Sequence, residues 1–189
     1  MLRFRISLFV VSLILLSWLL MQVLHETGHV LAAWLTGAKI ERVVLHPLSF
    51  SRTDIAENPL PLFVYWSGAV FGVLFPLFLA LVGEAFRLPF RHLLRFFAGF
   101  CLVANGSYLG FDFSKSGPTD AGLLIEHGAE RYQLLVFGVL SVALGLFLWH
   151  RQSKHFGFGS EAQPVSSKTV VGVFVLLLAL IALEIIGFE

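Results

Sequence analysis

The sequence predicts an all-α membrane protein, a bundle of about five transmembrane helices with a short surface β-hairpin after the first helix. Of the 189 residues, 57% are hydrophobic and only 13% are charged, which exceeds what a soluble core of this size requires. The apolar residues also gather into five blocks that are long enough, or nearly so, to span a bilayer. These blocks run from Ile6 to Leu35, Leu60 to Val82, Leu93 to Leu109, Tyr132 to Trp149 and Thr169 to Ile186. The whole chain, 1–189, is therefore expected to form a single multi-pass membrane domain.

The first apolar block is expected to be an uncleaved helix. Arg3 and Arg5, which precede it, are typical of the start of a secretory signal peptide. No small-x-small cleavage site closes the run, which continues to Leu35, so a signal-anchor helix fits better. Helices are expected in the other blocks too, because they lack the strict alternation of barrel strands and because irregular backbone in lipid leaves amides unpaired.

The connector after the first block predicts the hairpin. Apolar and polar residues alternate from Lys39 to Leu45 and again from Leu48 to Ser51, which is typical of short strands at a membrane surface. Pro59 and Pro61 then mark the start of the second helix, where proline is tolerated in the first turn. Such a hairpin could hold an extended substrate by edge pairing, which is a hypothesis at this stage.

Charge and cysteine content exclude two classes of protein. The formal net charge is +1 and the basic residues are scattered between apolar blocks, so no nucleic-acid partner is expected. The single cysteine, Cys101, has no intrachain partner, which excludes a disulfide framework and predicts a small buried apolar side chain.

The distribution of lysine and arginine predicts the orientation. If all five blocks span, eight basic residues share the side of the N-terminus and five share the other, which favours a cytoplasmic N-terminus. The eight are Arg3, Arg5, Arg87, Arg91, Arg95, Arg151, Lys154 and Lys168. The five are Lys39, Arg42, Arg52, Lys115 and Arg131.

A polar motif, His25-Glu26-Thr27-Gly28-His29, interrupts the first apolar block. Residues at i and i+4 share a helix face, so His25 and His29 can offer two imidazoles to one metal, with Glu26 beside the metal-bound water. An ionisable residue in a spanning segment costs roughly 2.5–3.5 kcal/mol, and one Zn²⁺ per chain would supply the compensating partner. The alternative is a polar cluster that relays protons or binds another helix.

A third ligand is needed, because zinc in hydrolases usually has three protein ligands and one water. Asp120 is the preferred candidate, since Pro118 ends an extended segment and Thr119 can cap a new helix that begins with this carboxylate. Asp120 could instead be a helix-start residue that the helix dipole favours. The competing candidates are Asp112, His127, His46 and Glu126.

Three segments resemble a known family. They are the motif with its continuation from Val30 to Ile40, the stretch from Trp66 to Gly72, and Asn105 to Tyr108 running on to Pro118 to Gly122. Over about 23–127 the chain resembles the site-2 protease family of intramembrane zinc metallopeptidases, so this range is expected to be the metallopeptidase core.

The resemblance has further implications for the site and for the orientation of the chain. It implies that the third segment supplies the third metal ligand, Asp120, and that Asn105 orients the substrate backbone. The usual Leu-Asp-Gly of the family reads Thr119-Asp120-Ala121 here, and the asparagine lies further from the aspartate than in the compact form of that motif. The resemblance also implies that the catalytic helix runs toward the cytosol, which disagrees with the charge distribution.

The leading functional prediction is hydrolysis of peptide bonds in or near transmembrane segments of other membrane proteins. Zn²⁺ held by His25, His29 and Asp120 would acidify a water, and Glu26 would accept its proton as the water attacks. The alternatives are a proteolytically silent zinc-binding interaction protein and a small proton-coupled transporter. The expected location is a bacterial-type cell (inner) membrane, with the lipid bilayer and a membrane-protein substrate as partners.

Overall fold

The computed structural model describes residues 2–113, 117–159 and 162–187, so Lys115 of the charge comparison lies outside the described residues. The described residues form six α-helices, a two-stranded antiparallel sheet and one short 3-10 helix. In chain order the elements are α1 (Leu2–Thr36), β1 (Lys39–Val44), β2 (Arg52–Glu57), α2 (Pro61–Ala85), α3 (Arg91–Gly110), α4 (Asp120–Glu126), α5 (Arg131–Trp149), the 3-10 helix (Ser153–Phe156) and α6 (Ser167–Gly187).

Five of these helices are long and apolar enough to cross a membrane, which confirms the five predicted helices. They are α1, α2, α3, α5 and α6. The sixth helix, α4, has seven residues and begins at Asp120. The side chain of Thr119 accepts a hydrogen bond from the backbone N–H of Gly122 and so caps this helix, as the sequence predicts.

Helix α1 packs between α2 and α6, α2 packs on α3, and α3 packs on α5. The α3–α5 contact is close because glycines face each other across it. A Cβ added to Gly138 would lie 2.6 Å from the Cα of Gly110 and 2.7 Å from the carbonyl oxygen of Gly106. Small residues that let helix backbones approach are typical of packing within membranes, where dispersion contacts replace the hydrophobic effect between helices.

The hairpin is present, but its second strand begins later than the alternation predicts. Val44 of β1 pairs with Arg52 of β2, whereas Leu48 and Phe50 lie in the connection and are 90% and 82% exposed. The reason is a turn at Pro47, in which the backbone N–H of Ser49 donates to the carbonyl oxygen of His46 at 3.1 Å. Proline fixes φ near the value that the second position of such a turn requires.

The hairpin lies against the ends of α1 and α2. Ile40 and Ile55 pack on a small buried cluster formed by Ala32, Ala33 and Val64. This packing holds β2 beside the part of α1 that carries the polar motif.

The fold also determines how deep the polar motif lies. Helix α1 is about 52 Å long at 1.5 Å per residue, which exceeds a hydrocarbon core of about 30 Å. The motif contacts Val64, in the first turn of α2, and Asn105, which lies five residues before the end of α3 at Gly110. It is therefore about 5–8 Å inside the ends of α2 and α3 on the hairpin side, and about 10–17 Å before the end of α1 at Thr36.

Candidate metal centre

Helix α1 presents two imidazoles on its buried face. His25 and His29 lie one turn apart and are 7% and 4% exposed, and their Nε2 atoms are 3.1 Å from each other. The i, i+4 spacing of the motif therefore brings the two nitrogens to one point.

Asp120 meets both rings from α4. Its Oδ2 lies 2.8 Å from Nε2 of His25 and 3.4 Å from Nε2 of His29. Burial opposes ionisation of this side chain, but the neighbouring imidazoles of His29 and His25 hold the pKa of the carboxyl well below its usual range. Asp120 is therefore a carboxylate, as a metal ligand requires.

Hydrogen bonds fix the orientation of both imidazoles. Nδ1–H of His25 donates to Oδ1 of Asn105 at 2.7 Å, and Nδ1–H of His29 donates to the carbonyl oxygen of Val64 at 2.8 Å. Neither the amide oxygen of Asn105 nor the carbonyl oxygen of Val64 carries a proton, so Nδ1 must be the protonated donor in each ring. When the rings are neutral, as metal binding requires, this leaves each Nε2 with a lone pair directed toward Asp120.

The asparagine is itself held in one orientation. Its Nδ2 donates to the carbonyl oxygen of Cys101 at 2.9 Å, and the side chain is 1% exposed. Both ends of the amide of Asn105 are thus engaged, with Oδ1 on His25. Cys101 is buried and its thiol is free, as the sequence predicts.

Three electron-rich atoms consequently face one another: two imidazole nitrogens and one carboxylate oxygen. Together they form a group that could hold a metal ion, with all ligand atoms within 4.8 Å of one another. Such a group is unfavourable when buried alone, because lone pairs repel and have lost their water. A cation at the centre removes the repulsion, and hydrogen bonds from Nδ1 to oxygen are the usual support for metal-bound histidine.

Glu26 lies beside this group and is not part of it. The residue is 3% exposed, and its Oε2 accepts a hydrogen bond from Oγ1 of Thr53 at 2.7 Å. Thr53 belongs to β2, so the hairpin holds the carboxylate in place next to the two histidines.

Small residues on α2 make room for the site. A Cβ on Gly68 would collide with the ring of His29, and a Cβ on Gly72 would lie 3.0 Å from the amide of Asn105. On α1, a Cβ on Gly28 would meet the backbone of Ser67. The small residues of the segment from Trp66 to Gly72 are therefore needed at this site, because larger side chains at Gly68 and Gly72 would displace the imidazole of His29 and the amide of Asn105.

The competing ligand candidates lie outside the group of three. Asp112 accepts a hydrogen bond from the hydroxyl of Thr119 at 2.7 Å, and His127 contacts the carbonyl oxygen of Leu123 through Nδ1 at 2.8 Å. His46 accepts from the backbone N–H of Leu48 in the hairpin turn. Glu126 ends α4.

Several neighbours of the site are not predicted from the sequence. Thr53 and Val64 belong to no sequence motif that would identify them. Tertiary packing alone brings the side chain of Thr53 and the carbonyl oxygen of Val64 to α1. Tyr108 lies on the rim, with its ring 5.8 Å from the ring of His25 and its hydroxyl 3.4 Å from the backbone nitrogen of Asp120. Two signals could have indicated it: its position one turn after Asn105 on α3, and its place at the end of the segment from Asn105 that resembles the family.

Fold and site together define a helical protein with five potential membrane spans and a His-His-Asp group, with both histidines buried and the aspartate partly buried, that could hold a metal ion. Comparison of the chain with known protein families, with curated proteins and with solved structures finds no match.

We expect Asn105 to act on the metal site through His25. An Asn105→Ala variant leaves Nδ1–H of His25 without its acceptor and should weaken Zn²⁺ binding by about 10–100-fold. Asn105→Asp keeps an acceptor oxygen and should retain most of the affinity. Chelator competition on the purified protein measures both. Unchanged affinity in Asn105→Ala together with reduced peptide cleavage would instead assign Asn105 to the substrate, the role that the family resemblance implies.

Proposed function

We propose that the protein is an intramembrane zinc metalloprotease that hydrolyses peptide bonds in or near transmembrane segments of other proteins. The observation that carries the proposal is the group of His25, His29 and the partly buried Asp120, with the buried Glu26 next to His25 in the chain. A zinc site that hydrolyses peptides needs three such ligands and a base, and Glu26, which follows His25 in the chain, lies within electrostatic range of the His25 ring. The resemblance of the sequence to site-2 proteases supports the same activity.

The donor set suits zinc. Zn²⁺ is bound tetrahedrally by imidazole nitrogen and carboxylate oxygen at about 2.0–2.2 Å, which places neighbouring ligand atoms about 3.3–3.6 Å apart. The three pairs of atoms here are separated by 2.8, 3.1 and 3.4 Å, so zinc binding requires the two closer pairs to move apart by a few tenths of an ångström. With three protein ligands, the fourth position remains for water or substrate, as in catalytic sites.

The residues divide the chemistry between them. When bound, zinc supplies Lewis-acid chemistry, since it acidifies water and polarises a carbonyl oxygen. His25, His29 and Asp120 bind the metal, and Asn105 and the Val64 carbonyl group orient the two rings. The carboxylate of Glu26 accepts the proton of the attacking water and returns it to the leaving amine. The hydroxyl of Thr53 holds that carboxylate in position.

The location of the site supports a substrate in the membrane. It lies inside the helix ends on the hairpin side, so a peptide segment at the edge of the bilayer can reach it from lipid or from water. Within the described residues, the outer edges of the two-stranded sheet pair with no further strand, and such edges can bind an extended peptide backbone. We therefore place the protein in a membrane as a multi-pass protein, and a bacterial-type cell (inner) membrane remains the expected location.

The test is cleavage by purified protein. Zinc-loaded protein, reconstituted in lipid, is incubated with a panel of single-span membrane proteins tagged at both ends, and products are mapped by mass spectrometry. We expect cleavage in or near the span of at least one substrate, its loss with a chelator, and its recovery on adding zinc.

Two results would contradict the proposal. Full zinc content without cleavage, combined with no effect of Glu26→Gln in cells, would favour a silent zinc-binding interaction protein. Absence of bound metal in the protein as isolated, with no uptake of added zinc, would favour a proton relay, because a shared proton can also link the three ligand atoms.

A further inference from the structure

A second site lies at the opposite end of the bundle from the metal group. An open cavity of about 720 Å³ is lined by the end of α2, the start of α3, the end of α5 and the segment that follows α5. Four basic side chains line it, Arg91, Arg95, Arg151 and Lys154, against one carboxylate, Glu84. Among the described lining residues, the positive charges therefore outnumber the negative one. Solvation of the protein surface gives no reason for positive charges to gather in a concave space, because like charges repel.

The positive charges are only partly neutralised. Glu84 pairs with Arg91, with 3.3 Å between Oε2 and Nε. Arg95 uses Nε to donate to the carbonyl oxygen of Leu148 at 2.9 Å, which fixes the side chain along the wall. No described group accepts a hydrogen bond from its two terminal nitrogens, which present a planar pair of donors suited to phosphate oxygens.

The backbone adds to this preference for an anion. Helix α3 has 20 residues and starts at Arg91, and no side chain caps its first turn, since Phe90 occupies the capping position. The N–H groups of Arg91 and Leu93 already donate to the carbonyl oxygens of Leu88 and Phe90, so the first turn acts mainly through the positive end of the helix dipole, which attracts anions. The dipole of α3 and the guanidinium groups of Arg91 and Arg95 thus act at the same place.

A buried amide indicates a second property of the ligand. Gln152 lines the cavity and is 4% exposed, and its Nε2 donates to the carbonyl oxygen of Leu148. Its Oε1 is buried and has no hydrogen-bond partner among the described residues. A buried acceptor without a partner is costly, and a hydroxyl group on the ligand would satisfy it.

The surroundings favour a lipid as the source of the anion. Phe147 lines the cavity and is 66% exposed on the outer surface of α5, a helix apolar enough to span. The cavity thus opens at the end of a lipid-facing helix, at the level where headgroups lie. Basic pockets between transmembrane helices at this level are suited to anionic headgroups.

We propose that this cavity binds the phosphate and the hydroxylated headgroup of an anionic phospholipid. The phosphate contacts Arg95, Arg151 and Lys154 near the start of α3, and a headgroup hydroxyl donates to Gln152. Lipid binding at this cavity requires that the protein is inserted in a membrane. It does not depend on the proposed protease activity at the other end of the bundle.

Two arginines allow a matched test. Arg151 and Arg87 both have left-handed backbones, with φ of 59° and 51°, so glycine fits either position without strain. Arg151 lines the cavity and Arg87 does not. The cavity variant combines Arg151→Gly with Lys154→Gln. The control combines Arg87→Gly with Arg3→Gln, which removes equal charge from the same end of the protein.

Native mass spectrometry of the full-length protein in detergent measures binding of phosphatidylglycerol, with phosphatidylcholine, inorganic phosphate and glycerol 3-phosphate as comparison ligands. Each basic group near an anionic headgroup contributes about five-fold in affinity, so we expect roughly 25-fold weaker binding of phosphatidylglycerol in the cavity variant. The control variant should stay within about three-fold of the native protein. Phosphatidylcholine should bind weakly to all three.

Two outcomes would overturn the proposal. Equal losses in the cavity and control variants would mean that the charge of the whole face attracts the lipid. Tight binding of inorganic phosphate or glycerol 3-phosphate, equal to that of the lipid, would assign the cavity to a soluble phosphate compound. If the double variant does not fold, Lys154→Gln compared with Arg3→Gln applies the same criterion, with about five-fold expected for the former.

Discussion

Replacing His29 with alanine is expected to abolish stoichiometric zinc binding. The substitution removes one of three ligand atoms, and the carbonyl oxygen of Val64 keeps only its other side-chain donor, the hydroxyl of Ser67. The loss of affinity should exceed the roughly 10–100-fold that a change outside the ligand shell costs. Metal analysis of purified protein should show about one zinc per chain in the native protein and close to none in His29→Ala.

The competing histidines provide the matched controls. His127 and His46 are also single imidazoles near the hairpin end of the bundle, but both lie outside the group of three. His127→Ala and His46→Ala should therefore keep full zinc content. If one of them loses zinc while His29→Ala retains it, the metal centre has been assigned to the wrong residues.

Some features of this site could be predicted from the sequence because they depend only on interactions between residues that are close in the chain. The spacing of His25 and His29 places both rings on one helix face whatever the rest of the chain does. Likewise, Thr119 and Asp120 form a helix start through a hydrogen bond that spans three residues. The five long helices could also be predicted from the apolar blocks, because the thickness and polarity of a bilayer determine the length and composition of a transmembrane helix.

Contacts between elements could not be predicted in the same way. That Oδ1 of Asn105 orients His25 depends on how α3 packs beside α1, and the hydrogen bond from Thr53 to Glu26 depends on the register of the hairpin. The register itself differs from the alternation in the sequence, because Pro47 forms a turn where Leu48 to Ser51 alternate like a strand.

The basic cavity shows the same limit. Its charges come from α2, α3 and the segment after α5, between positions 84 and 154. In the sequence they contribute only to the charge balance between the two sides of the membrane, where they predict orientation. The packing of α5 on α3, which is close at Gly99 and Gly145 near this end of the bundle, brings Arg151 and Lys154 opposite Arg91 and Arg95.

Replacing Glu26 with glutamine is expected to remove peptide hydrolysis while zinc and the fold are retained. Glu26 is not among the ligand atoms, and glutamine has the same size and keeps a carbonyl oxygen that can accept from Thr53. The amide cannot accept a proton from water at neutral pH. A general base contributes about 10²–10⁴-fold to rate, so turnover should fall by that factor or more while zinc content and thermal unfolding remain native.

The same variant can reveal the substrate in cells. Membrane proteomes of cells that carry the native protein or Glu26→Gln should differ by a full-length membrane protein that accumulates only in the variant. Glu41→Gln is the matched control, since Glu41 is an exposed glutamate on β1 of the same hairpin, and the proteome of cells that carry it should equal the native one.

Because Glu26→Gln keeps the metal and His29→Ala loses it, the two variants separate the base from the metal centre. Native turnover in Glu26→Gln with full zinc would exclude Glu26 as the base, and native turnover in a zinc-free His29→Ala would exclude the metal from the reaction.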